Sequence, residues 1–122
     1  MVGGSAPQAP VTAALGEPFT LAPGETARIG YERTRVTFEA VVSDSRCPTD
    51  VQCIRAGEAV VRVGAAGQEH AAETVELQTT PGRDQAPVAG LSLTLTRVLP
   101  EPNTKVQIKA ADYRATFTLA KP

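Results

Sequence analysis

Two-residue alternation of apolar and polar side chains runs through almost every segment of this chain, and it limits the fold more than any other feature. Side chains on a strand point to opposite faces in turn, so a period of two places one set in a core and the other in water. Phe19 and Leu21 open a short strand that Pro23-Gly24 ends. Ala27 and Ile29 alternate with Thr26 and Arg28. Val36, Phe38, Ala40 and Val42 make one face from Thr34 to Ser43, opposed by Arg35, Thr37, Glu39 and Val41. Ala59, Val61 and Val63 alternate with Glu58, Val60 and Arg62 before Gly64 to Gly67. Val75 and Leu77 mark a fifth strand, Leu91, Leu93 and Leu95 a sixth that runs on to Leu99, and Tyr113, Ala115, Phe117 and Leu119 a seventh.

No apolar period of 3.6 persists, so helices are excluded beyond one turn in the Ala-rich stretch from Gly67 to Glu73. About seven short strands with turn signals roughly every 8 to 12 residues predict an all-β, Greek-key β-sandwich of the immunoglobulin-like kind. A small β-barrel is the alternative. With no Trp, three Phe and two Tyr, the core must be filled by Val, Leu, Ile and Ala, which favours a thin interior over a deep ligand cavity. Tyr113, after small residues at the start of a strand, loosely matches a tyrosine corner.

A chain of 122 residues makes one domain. The run Met1 to Pro10 is rich in Gly, Ser, Ala and Pro and lacks both a charged and an apolar region. It reads as the start of a mature chain after removal of a signal segment, and residues 1–14 as a flexible spacer ahead of a single domain over 15–122. No stretch approaches the roughly 20 apolar residues of a membrane span. A net charge of −1 and an aromatic content of 4 % argue against a nucleic-acid binder, which needs a basic surplus and stacking platforms.

Cys47 and Cys53 are the only cysteines. An even pair in a short chain reads first as a disulfide, hence as an oxidising, extracytoplasmic compartment. Free thiols and a metal site are the alternatives. Zinc would want two more ligands than the pair and a lone His70 provide, and a redox motif would want C-x-x-C spacing. Bridging the two closes a ring worth about 2 kcal/mol in loop-closure entropy, stiffened further by Pro48.

The segment holding this pair, Asp44-Ser45-Arg46-Cys47-Pro48, then Val51-x-Cys53, then Ala56-Gly57-x-Ala59, resembles the signature of a family of small bacterial secreted proteins and lipoproteins, mostly uncharacterised. The opening Leu15-Gly16-x-x-Phe19-x-Leu21-x-x-Gly24 and the Pro100-x-Pro102 turn are similar too. The resemblance implies an exported bacterial protein and supplies no catalytic residue. Family members often carry an aromatic where this chain has Arg55, so the resemblance does not extend an aromatic contact to that loop here.

Three functional expectations follow. The first is a non-catalytic recognition or envelope module, exported or lipid-anchored, whose partner is another extracytoplasmic protein. Its interaction loop would be Pro48, Thr49, Asp50, Val51 and Gln52. The second is a protease inhibitor presenting the Cys47–Cys53 ring, with Arg83 on the polar, mobile connection Gln78–Pro87 as a further reactive segment. The third is a small calcium-binding protein using Asp44, Asp50 and Glu58, although Arg46 and Arg55 compete for those carboxylates. Catalysis and a bound cofactor are not expected: His70 lies in a polar stretch without a nucleophile elbow, no carboxylate pair stands out, and no Gly-rich loop precedes a helix.

Overall fold

The computed structural model describes residues 11–30, 34–67 and 69–122. Among these residues nine strands form two sheets: β1 (Val11–Ala13), β2 (Pro18–Leu21), β3 (Thr26–Ile29), β4 (Thr34–Asp44), β5 (Ala59–Gly67), β6 (His70–Gln78), β7 (Gln85–Val88), β8 (Leu91–Leu99) and β9 (Arg114–Ala120). One sheet has the order β1-β3-β4-β5-β6 and the other β2-β9-β8-β7. The all-β sandwich is as expected. β3 to β6 and β7 to β9 are antiparallel meanders, the chain changes layer at β1–β2, β2–β3 and β6–β7, and β2 lies antiparallel beside β9, which gives the second sheet a Greek-key order.

The alternating residues meet between the layers. Ala27, Ile29, Val36, Phe38, Val61, Val63 and Leu77 face Phe19, Leu21, Leu93, Leu95, Phe117 and Leu119, all of them buried. Phe117 carries the aromatic contacts. Its ring lies 5.9 Å from Phe19 in its own sheet and 6.1 Å, edge-on, from Phe38 in the opposite one. Aliphatic side chains fill the rest, as the composition demands.

Two strands were not anticipated. Val11–Ala13, inside the segment read as spacer, pairs in parallel with Ala27–Ile29, so strand structure starts before residue 15; residues 1–10 lie outside the described residues. Gln85–Val88, inside the segment read as a mobile connection, pairs with β8 despite Pro87. The fifth strand also starts earlier than its apolar residues suggest. His70–Thr74 belongs to a hairpin with β5, not to a helical turn.

Register shifts alter two of the expected faces. β4 shifts between Phe38 and Ala40 and again between Val41 and Ser43, and β8 pairs irregularly with β9 between Leu95 and Arg97. An extra residue in a strand reverses the facing of everything beyond it. Val98 is therefore buried and Leu99 exposed, while Val42 is 44 % exposed and Val41 half-buried. All three shifts lie towards the end of the sandwich that carries the Cys47–Cys53 loop, and their effect is to push apolar side chains out there.

Candidate functional site: the disulfide-clamped rim

Residues 45–58 connect β4 to β5 and rise from one rim of the sandwich. Ser45 N–H donates to the Glu58 carbonyl (2.8 Å), its hydroxyl accepts from Glu58 N–H (3.1 Å), and Cys47 N–H donates to the Ala56 carbonyl (2.9 Å). These bonds bring the two sides of the loop together at a narrow neck. Gly57 is needed there: its φ is +66°, and a Cβ on it would lie 1.7 Å from the Ser45 carbonyl oxygen. Beyond the neck, Cys47 and Cys53 are joined in a disulfide with their Cα atoms 5.9 Å apart.

Beneath the neck lies a polar lock between the layers. The Arg46 guanidinium grips the Asp44 carboxylate with two bonds, Nε to Oδ1 at 2.8 Å and Nη2 to Oδ2 at 2.7 Å. Its remaining N–H groups reach the Val98 carbonyl (2.8 Å) and the Pro100 carbonyl (3.0 Å) at the end of β8. The Tyr113 hydroxyl, from the residue before β9, donates to Asp44 Oδ2 at 2.9 Å. One side chain from the loop that follows β4 thus binds groups from both sheets, and the planar guanidinium fork suits that task where an ammonium would not. Tyr113, compared above with a tyrosine corner, finds a carboxylate across the sandwich.

Burial alone would raise the Asp44 pKa. The Arg46 and Tyr113 side-chain bonds, the Arg46 backbone N–H and the Arg46 charge outweigh it and hold the carboxyl below the usual 3.8. Arg46 is pushed up, chiefly by its bond to Asp44, and Tyr113 is raised by burial and by Asp44. Because Asp44 titrates lower in the folded than in the unfolded chain, its stabilisation is complete above the unfolded value and is lost as pH falls through the folded one. Urea unfolding should therefore show stability dropping below about pH 4, and Asp44→Asn should flatten that part of the profile. An identical acid slope in the variant would remove Asp44 as the source.

The ring itself is docked. Thr49 N–H donates to the Pro102 carbonyl at 2.9 Å. Asp50 accepts from Thr104 N–H at 3.0 Å and from the Thr104 hydroxyl, and these bonds hold its carboxyl below 3.8. Of the predicted interaction residues, Pro48 is half-buried and Thr49, Asp50, Val51 and Gln52 are exposed. The backbone of Thr49 and the carboxylate of Asp50 are nevertheless committed to the 102–104 turn, which leaves Val51 and Gln52 with the residues just after the ring as the outward surface.

The three carboxylates proposed for calcium are not brought together. Asp44 is held by Arg46 and Tyr113, Asp50 by Thr104, and Glu58 by the Thr80 hydroxyl at 2.8 Å. Among the described residues no group of three or more His, Cys, Asp or Glu is placed to hold a metal ion. His70 starts β6 near Gly67 and Gly90, at the opposite rim. Arg83 lies in a turn closed by Arg83 N–H to the Thr80 carbonyl (3.0 Å) and Gln78 N–H to the Arg83 carbonyl (2.9 Å).

Sequence reading missed one property of this rim. Val42, Val51, Ile54, Leu99 and Val106 are the five exposed large apolar residues among those described, and all belong to the strand ends and loops of this rim. Ile54 is fully exposed, at 104 %. Ile54 and Val51 were legible as apolar residues beside the cysteines, whereas Val42 and Leu99 became exposed only through the register shifts. The chain matches no protein-family model, no curated protein and no solved structure.

Proposed function

We propose that the protein is a non-catalytic recognition module of bacterial origin that works outside the cytoplasm and engages another extracytoplasmic protein through the disulfide-clamped rim. The observation that carries this reading is the gathering of Val42, Val51, Ile54, Leu99 and Val106 at one rim, with Ile54 wholly in water. Apolar side chains held out on a stiff, cross-linked loop are the raw material of an interface core, because little conformational freedom remains to be lost on binding. The disulfide is compatible with an oxidising compartment. No helix among the described residues is long and apolar enough to cross a membrane.

The test pairs wild-type protein with Val51→Asp and Ile54→Asp variants and measures retention of exported proteins from the source cells. Both substitutions fall on exposed residues, so folding should be unchanged within about 0.5 kcal/mol. A partner held by wild-type protein should be lost or weakened by about tenfold or more. Equal retention by all three proteins would contradict the assignment of this rim.

A second reading, inhibition of a protease by the ring, draws on the anchoring of Thr49 to Pro102 and of Asp50 to Thr104, which fixes the loop as inhibitors fix theirs. Inhibition of secreted serine or cysteine proteases at micromolar concentration, abolished by reducing the disulfide, would favour it over simple recognition.

A further inference from the structure

The two sheets have four edges, and three are protected. β1 is three residues long; β2 begins with Pro18; and β7 contains Pro87, whose missing N–H falls on the side away from β8. That phase follows from Leu95 N–H donating to the Asp84 carbonyl, which turns the Pro87 position outward. Short strands and prolines are how sheet edges avoid pairing with other chains.

β6 has neither device. It is nine residues long and contains no Pro, Lys or Arg, and among the described residues it is paired with β5 on one side only. Thr79 N–H points to β5, at the Ala59 carbonyl, while Gln78 N–H points away, to Arg83. The alternation then turns the backbone groups of Glu76 and Thr74 outward, as far as the register shift where Ala71 and Ala72 stand opposite Ala66 alone, and no backbone partner is found for the Glu76 and Thr74 N–H groups among the described residues. The uncovered ladder from Glu73 to Leu77 is a template for one more strand.

We infer that this edge pairs with β6 of a second copy of the chain, antiparallel about a two-fold axis through Val75. Residues directly opposite across such an axis must share a face, so only registers centred on a residue are allowed. Val75 lies between the two free outward amides, Thr74 and Glu76, and centring there lets each pair with the other. It sets Val75 against Val75, Thr74 against Glu76 and Glu73 against Leu77, with no like charges opposed. Centring on Glu73 would face that carboxylate with itself, which is destabilising. Centring on Thr74 would bring the irregular Ala71–Ala72 stretch and Gln78, whose N–H is already bound to Arg83, into the pairing.

The pairing would join the two five-stranded sheets into one continuous sheet. It also has a consequence on the outer face. A shallow groove of 440 Å³ crosses β3 to β6 there, between Thr26, Arg35, Thr37, Glu39 and Thr74, floored by Gly64. It reaches the β6 edge at Thr74, so the two grooves would meet beside the axis.

Edge pairing buries less than the roughly 1,200 Å² of a stable interface, so the dimer should form in about the 10 µM to 1 mM range. Analytical ultracentrifugation of the full chain should show the average mass rising from one chain towards two across that range. Thr74→Pro removes an outward N–H that β5 does not use, as Pro87 does in β7, and should hold the protein at the mass of one chain while its circular dichroism stays that of wild type. Hydrogen exchange on wild-type protein gives a reading independent of any variant: Thr74 and Glu76 amides should slow as concentration rises. A wild-type chain that stays single throughout, amide exchange indifferent to concentration, or self-association untouched by a folded Thr74→Pro variant would each overturn the inference.

Discussion

Arg46→Ala is expected to destabilise the fold by about 2–4 kcal/mol, because it strips several buried groups at once. The Asp44 carboxylate, 14 % exposed, would keep only the Tyr113 hydroxyl and a distant backbone N–H, and the Val98 and Pro100 carbonyls would lose their donor. For a chain of this length that corresponds to a melting point lower by about 10 °C. Arg46→Lys should recover little, since an ammonium cannot supply two parallel bonds to Asp44 and still reach both carbonyls. In a double-mutant cycle, Asp44→Ala should cost much less in the Arg46→Ala background than alone. A loss under about 0.5 kcal/mol in urea unfolding would mean that the lock contributes nothing net, as exposed ion pairs often do.

Phe117→Ala should cost still more, about 3–5 kcal/mol. The ring is fully buried and touches an aromatic neighbour in each layer, so its removal opens a void between β9 and β4 that aliphatic neighbours cannot readily close. Phe117→Leu should recover more than half of that loss. The sharpest control is Ile54→Ala, an equally apolar residue that is wholly exposed and should leave the urea midpoint unmoved. If Phe117→Ala cost about 1 kcal/mol or less, the interior would be far looser than its close-packed aliphatic filling implies.

Much of this arrangement was readable from residue order. Alternation at Val36-x-Phe38, Val61-x-Val63, Leu91-x-Leu93-x-Leu95 and Ala115-x-Phe117-x-Leu119 picks out the strands whose burial depends on a strict period of two. The edge strands escaped for a physical reason. Val11–Ala13 and Gln85–Val88 are too short to show a period, Pro87 argues against a strand, and neighbours supply what their own propensity lacks. His70–Thr74 is polar and Ala-rich, and it is extended because β5 lies beside it. The register shifts in β4 and β8 were invisible for a different reason: a bulge is a property of two strands together, so Val42 and Leu99 read as interior until pairing is known. At the rim, the cysteines, Arg46 and Gly57 were legible as a unit, and the structure gives each a task in closing the loop. The gathering of apolar residues was not legible, since it is assembled from four separate segments.

The polar lock makes the two ends of the sandwich mechanically unequal. At one end Arg46 staples β4 to β8, Tyr113 adds the entry to β9, and the sulfur bridge cinches the loop above them. The far end, by contrast, is closed by turns such as Ala89-Gly90 between β7 and β8. Thermal opening should begin at that looser end and travel towards the stapled one, so the surface offered to a partner would be the last part of the molecule to soften.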